Sequence, residues 1–136
     1  MPFPVTLTIP VQWSEMDALG HVNNARFFTY FESARISLFT RIGVATSLSS
    51  PSTTGPILAT TTCDFLRPIV FPATILASAR VSRVGETSIT MDYEITDASH
   101  GHLYARGSSV AVLVDYATMT KVRVSDAIRA AIASLA

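Results

Sequence analysis

Charged residues are scarce in this sequence of 136 residues. They make up 15% of the chain, whereas an average soluble domain contains about 25%. Hydrophobic residues make up 49%. A chain with so little charge must bury much of its apolar surface, and we expect a second copy of the same chain to cover part of it.

An excess of either charge is also absent. Ten Lys and Arg residues balance ten Asp and Glu residues, and no local run of basic residues stands out. Domains that bind nucleic acid normally present a basic patch. No nucleic-acid partner is therefore expected.

Cysteine occurs once, as Cys63. A single cysteine excludes a disulfide within the chain and a zinc site built from cysteines. We expect Cys63 to be a buried small hydrophobe. His100 and His102 flank a glycine in a predicted turn, but two histidines are too few for a typical metal site, so no metal is predicted.

Long hydrophobic runs are missing. None reaches the roughly 20 residues that span a bilayer, and the first ten residues lack the charged and apolar segments of a signal peptide. The sequence therefore predicts a soluble cytoplasmic protein without a membrane partner. Its length predicts a single domain over residues 1–136.

A long apolar helix is the clearest element that the pattern predicts. It begins at Asn23 or Asn24, because asparagine is a favoured N-cap, and Gly43 is a typical C-terminal stop. Apolar residues recur between them at spacings of three and four and extend around several faces. Such a helix is buried rather than laid on a surface.

The other predicted elements are mostly strands. An alternating first strand spans Val5 to Trp13, and a loop follows from Ser14 to Asn23. The stretch from Ser47 to Pro56 is a loop by composition. Four β-like runs and a short C-terminal helix then follow, at 57–66, 73–84, 86 or 87–96, 102–114 and 125–135. We expect an α+β fold, in which an antiparallel sheet curls around the buried helix.

The segment between the first strand and the helix, "WSEMDALGHVNNARFF", is the most polar part of the chain. If its loop folds back, the Asp17 carboxylate faces the N-terminal end of the helix near Asn23 and Asn24. Free N–H groups and about half a positive charge lie there. Such an end polarises a carbonyl oxygen, and a nearby carboxylate attacks the carbonyl or activates water.

Thioesters suit so sparse a site. Their leaving thiol, with a pKa of roughly 8.5, departs as thiolate with little help from an acid. Each residue also has a structural interpretation that the spacing leaves open. Asp17 can form an Asx turn, Asn23 and Asn24 can simply cap the helix, and His21 can orient the loop or act directly.

The run "EMDALGHVNNARFFTYFESAR" resembles the signature of hot-dog-fold acyl-CoA thioesterases of the 4-hydroxybenzoyl-CoA thioesterase type. The later segments "FLRPIVFPATI" and "RVGETSITMDYEI" resemble the family more loosely. The resemblance implies a hot-dog fold, with a five-stranded antiparallel sheet wrapped around one long central helix. It also implies a homodimer, or a homotetramer, with active sites at the dimer interface.

The resemblance implies hydrolysis of acyl-CoA to a free acid and CoA. It makes Asp17 the nucleophile or general base and the backbone N–H of Asn24 the group that polarises the carbonyl. His21 and Asn23 match positions of the motif without a settled role. No metal is implied, and no cofactor beyond the CoA of the substrate.

The turn between the third and fourth strands departs from some relatives, which hold CoA phosphates there with basic residues. Here Arg83, Thr87 and Ser88 are the residues available. Contact through another arginine, weak binding of CoA, and a substrate carried by an acyl-carrier protein all stay open. Two other functions also stay open: an acyl-CoA-binding protein without catalysis, and a hydratase or dehydratase of the same fold.

Overall fold

A computed structural model describes residues 3–47 and 53–135. These residues form one sheet, two α-helices and a short 3-10 helix at Trp13–Glu15. The strands are β1 Val5–Pro10, β2 Thr54–Phe65, β3 Thr74–Val84, β4 Ser88–Asp97, β5 Leu103–Asp115 and β6 Thr120–Lys121, and the helices are α1 Asn24–Ile42 and α2 Asp126–Ser134. Neither helix combines the length and the apolar content needed to cross a membrane.

The strands form one antiparallel sheet in the order β1-β3-β4-β5-β2, with β6 added to β5. Alternation along β4 shows how the sequence builds it, because Ile89, Met91, Tyr93 and Ile95 are all buried on one face. Helix α1 lies on this face. The predicted α+β fold with a central helix is confirmed.

Helix α1 begins and ends as its sequence predicts. The side chain of Asn23 accepts a hydrogen bond from the N–H of Ala25, and Gly43 adopts the left-handed conformation after the last turn. Its buried residues lie at spacings of one, three and four and pack into the core against the sheet: Phe27, Tyr30, Phe31, Ala34, Leu38, Phe39 and Ile42.

Two boundaries differ from the prediction by three residues. The first strand ends at Pro10, because Trp13–Glu15 turns into the 3-10 helix. The loop predicted from Ser47 to Pro56 is shorter at its end, since pairing with β5 extends β2 back to Thr54. Residues 48–52 of that loop lie outside the described residues.

Candidate active site

The loop between β1 and α1 folds back on itself. An isolated bridge joins Met16 to Val22, and the N–H of Asp17 donates to the carbonyl of His21 at 2.9 Å. Gly20 takes a positive φ of 85° in the turn, a conformation that suits glycine. The N–H of Val22 then donates to the carbonyl of Ile69 at 2.9 Å, which anchors the loop to the segment between β2 and β3.

Asp17 stands at the base of this turn. Its Oδ1 atom accepts a hydrogen bond from the N–H of Leu19 at 2.9 Å, so it forms an Asx turn. Its other carboxylate oxygen receives no hydrogen bond from the described residues. Asp17 therefore has the structural role of an Asx turn, and its second carboxylate oxygen is still available to act as a nucleophile or base.

The N-terminal end of α1 retains an unused donor. Asn23 caps the N–H of Ala25 through its side chain and that of Arg26 through its carbonyl, both at 2.9 Å. The N–H of Asn24 has no acceptor among the described residues, and Asn24 is exposed. This end of the helix carries the positive pole of the helix dipole.

Asp17 and the end of α1 open into one cleft of about 440 Å³. Asn23 and Arg26 form the helix side of this cleft, and Glu15 and Asp17 form the loop side. Asp17 and the first turn of α1 therefore line the same cleft, although Asn24 itself does not line it. A carboxylate facing an end of a helix with an unused N–H can attack or hydrate a carbonyl group held there.

A model of the thioesterase-like superfamily matches residues 11–132, which include the cleft and nearly all of the sheet. The chain belongs to this superfamily. The solved structure of a thioesterase from Thermus thermophilus, complexed with coenzyme A and Zn, is 32% identical. It has a TM-score of 0.82 over 98% of this chain and 94% of the other.

One further solved structure and one curated sequence are similar to this superfamily member. The PA2801 protein of Pseudomonas aeruginosa is 32% identical, with a TM-score of 0.86 over 96% of this chain and 99% of that one. YsmA of Bacillus subtilis is 34% identical over 85 residues, which are 62% of this chain and 56% of YsmA. The chain therefore matches little more than half the length of YsmA.

Glu15 is a cleft residue of this thioesterase-like chain that sequence reasoning missed. Its Oε1 atom accepts from the N–H of Gln12 at 2.7 Å, and its carbonyl accepts from the N–H of Asn23 at 3.0 Å. Beneath the cleft, burial and then the charge of Glu15 raise the pKa of Tyr30, so this hydroxyl stays neutral. Only the segment "EMD" could have pointed to Glu15 in the sequence, because it puts a second carboxylate two residues before Asp17.

His21 is exposed, and the structure gives its imidazole no hydrogen bond within the described residues. Its backbone carbonyl, rather than its ring, supports the loop under Asp17. A direct role for the ring stays a prediction.

Arg83, Thr87 and Ser88 lie far from this cleft in the same thioesterase-like chain. Strand β3 starts beside the cleft, where Thr74 pairs with Pro10, and runs away from it to Val84. Ten steps at about 3.3 Å make the strand about 33 Å long. Within one chain, these three residues are therefore not brought together with Asp17.

The remaining polar candidates form no second site of this kind. Burial, with a smaller effect of Asp64, raises the pKa of Cys63 to about 11, so its thiol is protonated at neutral pH. The rings of His100 and His102 stack at 5.9 Å, and Nδ1 of His100 lies 3.0 Å from Asp97. Among residues 3–47 and 53–135, no three metal-ligating side chains cluster.

Replacing Asn23 by Ala tests whether its side chain stabilises α1 as an N-cap. We expect Asn23→Ala to lower the free energy of unfolding by about 1 kcal/mol, because the N–H of Ala25 loses its acceptor. Asn23→Asp keeps an acceptor and serves as the control. Chemical denaturation checks both variants, and an unchanged stability of Asn23→Ala would contradict the capping role.

Proposed function

We propose that this chain hydrolyses acyl-CoA thioesters to a free acid and CoA, and that the cleft at the end of α1 is the active site. The observation that carries the proposal is the cleft that Asp17 shares with Asn23, Ala25 and Arg26 at the end of α1. Asp17 keeps one carboxylate oxygen unused, and the N–H of Asn24, which lies between Asn23 and Ala25 in the chain, is unused as well. Membership of the thioesterase-like superfamily supports the reaction class.

The proposed reaction needs few groups. The thioester carbonyl accepts a hydrogen bond from the N–H of Asn24, where the helix dipole stabilises the negative charge that develops on oxygen. The Asp17 carboxylate attacks the carbonyl carbon, or it removes a proton from a water molecule that does so. CoA leaves as thiolate and takes up a proton afterwards. Where Asp17 is the nucleophile, water then hydrolyses the acyl–aspartyl anhydride, which releases the free acid and restores the carboxylate. No cofactor beyond the CoA of the substrate enters this scheme.

The proposed active site also involves a second copy of the chain. Strand β2 is an edge of the described sheet, and Leu58, Phe65 and Leu66 on or beside it are 41–47% exposed. An open edge with apolar side chains favours pairing with another chain, so we propose a homodimer that can pair into a homotetramer. Arg83, Thr87 and Ser88 are then assigned to CoA bound at the cleft of another copy.

The experiment is an assay of thiol release by the native protein on short, medium, long and aromatic acyl-CoAs. Each acyl group is also supplied as its pantetheine thioester, which lacks the nucleotide part of CoA. We expect turnover of at least one acyl-CoA, with a lower KM than for its pantetheine thioester if the nucleotide is bound. Equal KM values would contradict the assignment of Arg83, Thr87 and Ser88.

Other outcomes support the rival functions. Tight binding of acyl-CoA without release of thiol supports a binding protein. Hydration of crotonyl-CoA without cleavage of the thioester supports a hydratase. Either result would exclude the proposed hydrolysis for the acyl groups used.

A further inference from the structure

A groove leaves the cleft and follows α1 along the side that faces the edge strand β2. Thr29 lines both the cleft and the first section of this α1–β2 groove, which has a volume of about 190 Å³. A second section of about 410 Å³ shares Glu32, Arg35 and Leu58 with the first and reaches Phe39. The groove therefore adjoins the proposed site of hydrolysis at Thr29.

A row of polar side chains crosses the buried face of the sheet beneath this groove. Tyr93 bonds to Ser109 through their hydroxyl groups, and the guanidinium of Arg35 donates to the Tyr93 hydroxyl at 3.3 Å. Thr61 on β2 pairs directly with Ser109 on β5, so it extends the row to the sheet edge. The rest of this core is predominantly apolar.

The row ends in an unsatisfied group. The hydroxyl oxygen of Thr61 is buried and has no hydrogen-bond partner among the described residues, while Thr61 itself lines the first section of the groove. Buried hydroxyl groups in proteins normally have a partner. Rotation about χ1 exchanges the hydroxyl and the methyl group of a threonine, so the hydroxyl can turn toward an atom in the groove.

The position of the polar row along α1 gives its distance from the thioester carbonyl that would bind at Asn24. Phe31 stacks on Tyr93 with 4.7 Å between ring centroids, so the row lies at the level of Phe31 on α1. Phe31 is seven residues beyond Asn24, which corresponds to about 10 Å along the helix.

We propose that the α1–β2 groove binds the acyl group of the substrate, and that Thr61 and Arg35 select an acyl group with a hydroxyl or carbonyl oxygen about 10 Å from the thioester carbonyl. This inference rests on the proposed function. Thr61 donates or accepts one hydrogen bond, Arg35 donates through the N–H groups that Tyr93 leaves unused, and Glu32 accepts. An unsubstituted alkyl chain would leave these groups unpaired, and such a mismatch discriminates strongly between ligands.

The test compares kcat/KM for octanoyl-CoA and ω-hydroxyoctanoyl-CoA, whose hydroxyl group lies near this distance. We expect the native protein to prefer the hydroxylated substrate by about tenfold or more. Thr61→Val, which keeps the shape and removes the hydroxyl, is expected to lose most of this preference, and Thr61→Ser to retain it. Thr62→Val, on the exposed face of the same strand, serves as the matched control and should retain it.

Equal kcat/KM values in the native protein, or a preference that survives in Thr61→Val, would overturn the inference and leave the proposed hydrolysis intact. If neither substrate releases thiol, the full panel of acyl-CoAs decides about the proposed hydrolysis, and calorimetric titration with these two acyl-CoAs decides whether the groove binds the acyl group. Tighter binding of the hydroxylated one, lost in Thr61→Val, would support it, and equal affinities would overturn it. Weaker self-association of Thr61→Val without a change of preference would show that a second copy fills the groove, which also overturns the inference.

Discussion

Asp17→Asn is expected to reduce kcat/KM for acyl-CoA hydrolysis by about 10²- to 10⁴-fold, the range that a positioned acid or base typically contributes. An amide neither attacks a thioester as a carboxylate does nor takes a proton from water. Its oxygen can still accept the hydrogen bond from the N–H of Leu19, so the Asx turn and the loop should persist. Thiol release and thermal unfolding are measured on the same preparation.

Two comparisons sharpen this prediction. Asp64→Asn changes an exposed carboxylate on β2 and should leave kcat/KM unchanged. Glu15→Gln changes the second carboxylate of the cleft. If Glu15→Gln abolished turnover while a folded Asp17→Asn retained it, the catalytic role would belong to Glu15, and the assignment of Asp17 would be wrong.

Gly107→Ala is expected to give the largest loss of stability. A methyl group at this position on β5 would collide with the ring of Phe31 and with the backbone carbonyl of Thr62. Neither can move freely, because Phe31 is stacked on Tyr93 and β2 pairs with β5 next to Thr62. Overpacking of this kind costs about 3 kcal/mol, which lowers the melting temperature of a domain of this size by roughly 10 °C.

Ser108→Ala is the matched control for this prediction. It adds no atom, and its side chain points to the opposite face of β5, so its effect should stay within about 0.5 kcal/mol. Calorimetry measures both variants. A melting temperature of Gly107→Ala equal to that of the native protein would show that the sheet under α1 yields more easily than its packing indicates.

Local signals explain why much of the fold could be predicted. Asn23 and Gly43 bound α1 because a cap and a left-handed stop are properties of single residues. Ser125 caps α2 in the same way. The approach of Asp17 to the end of α1 followed from similarly local facts, since only a short loop separates them.

Features that depend on pairing between distant segments could not be predicted from local sequence signals. The start of β2 at Thr54 is set by its partner β5, and the two-residue strand β6 exists only as an addition to β5. Arg83 lies far from Asp17 because β3 runs away from the cleft, and strand direction is not a local property of a sequence. The same holds for Thr61, whose buried hydroxyl meets the groove only after the sheet has formed.

A crystal structure of Asp17→Asn with an intact acyl-CoA that the native protein hydrolyses would show where the thioester binds. We expect the thioester carbonyl oxygen to accept a hydrogen bond from the N–H of Asn24, with an N···O distance of about 2.7–3.1 Å. Its carbonyl carbon should face the side chain at position 17. A thioester bound away from the N-terminal end of α1 would contradict the account.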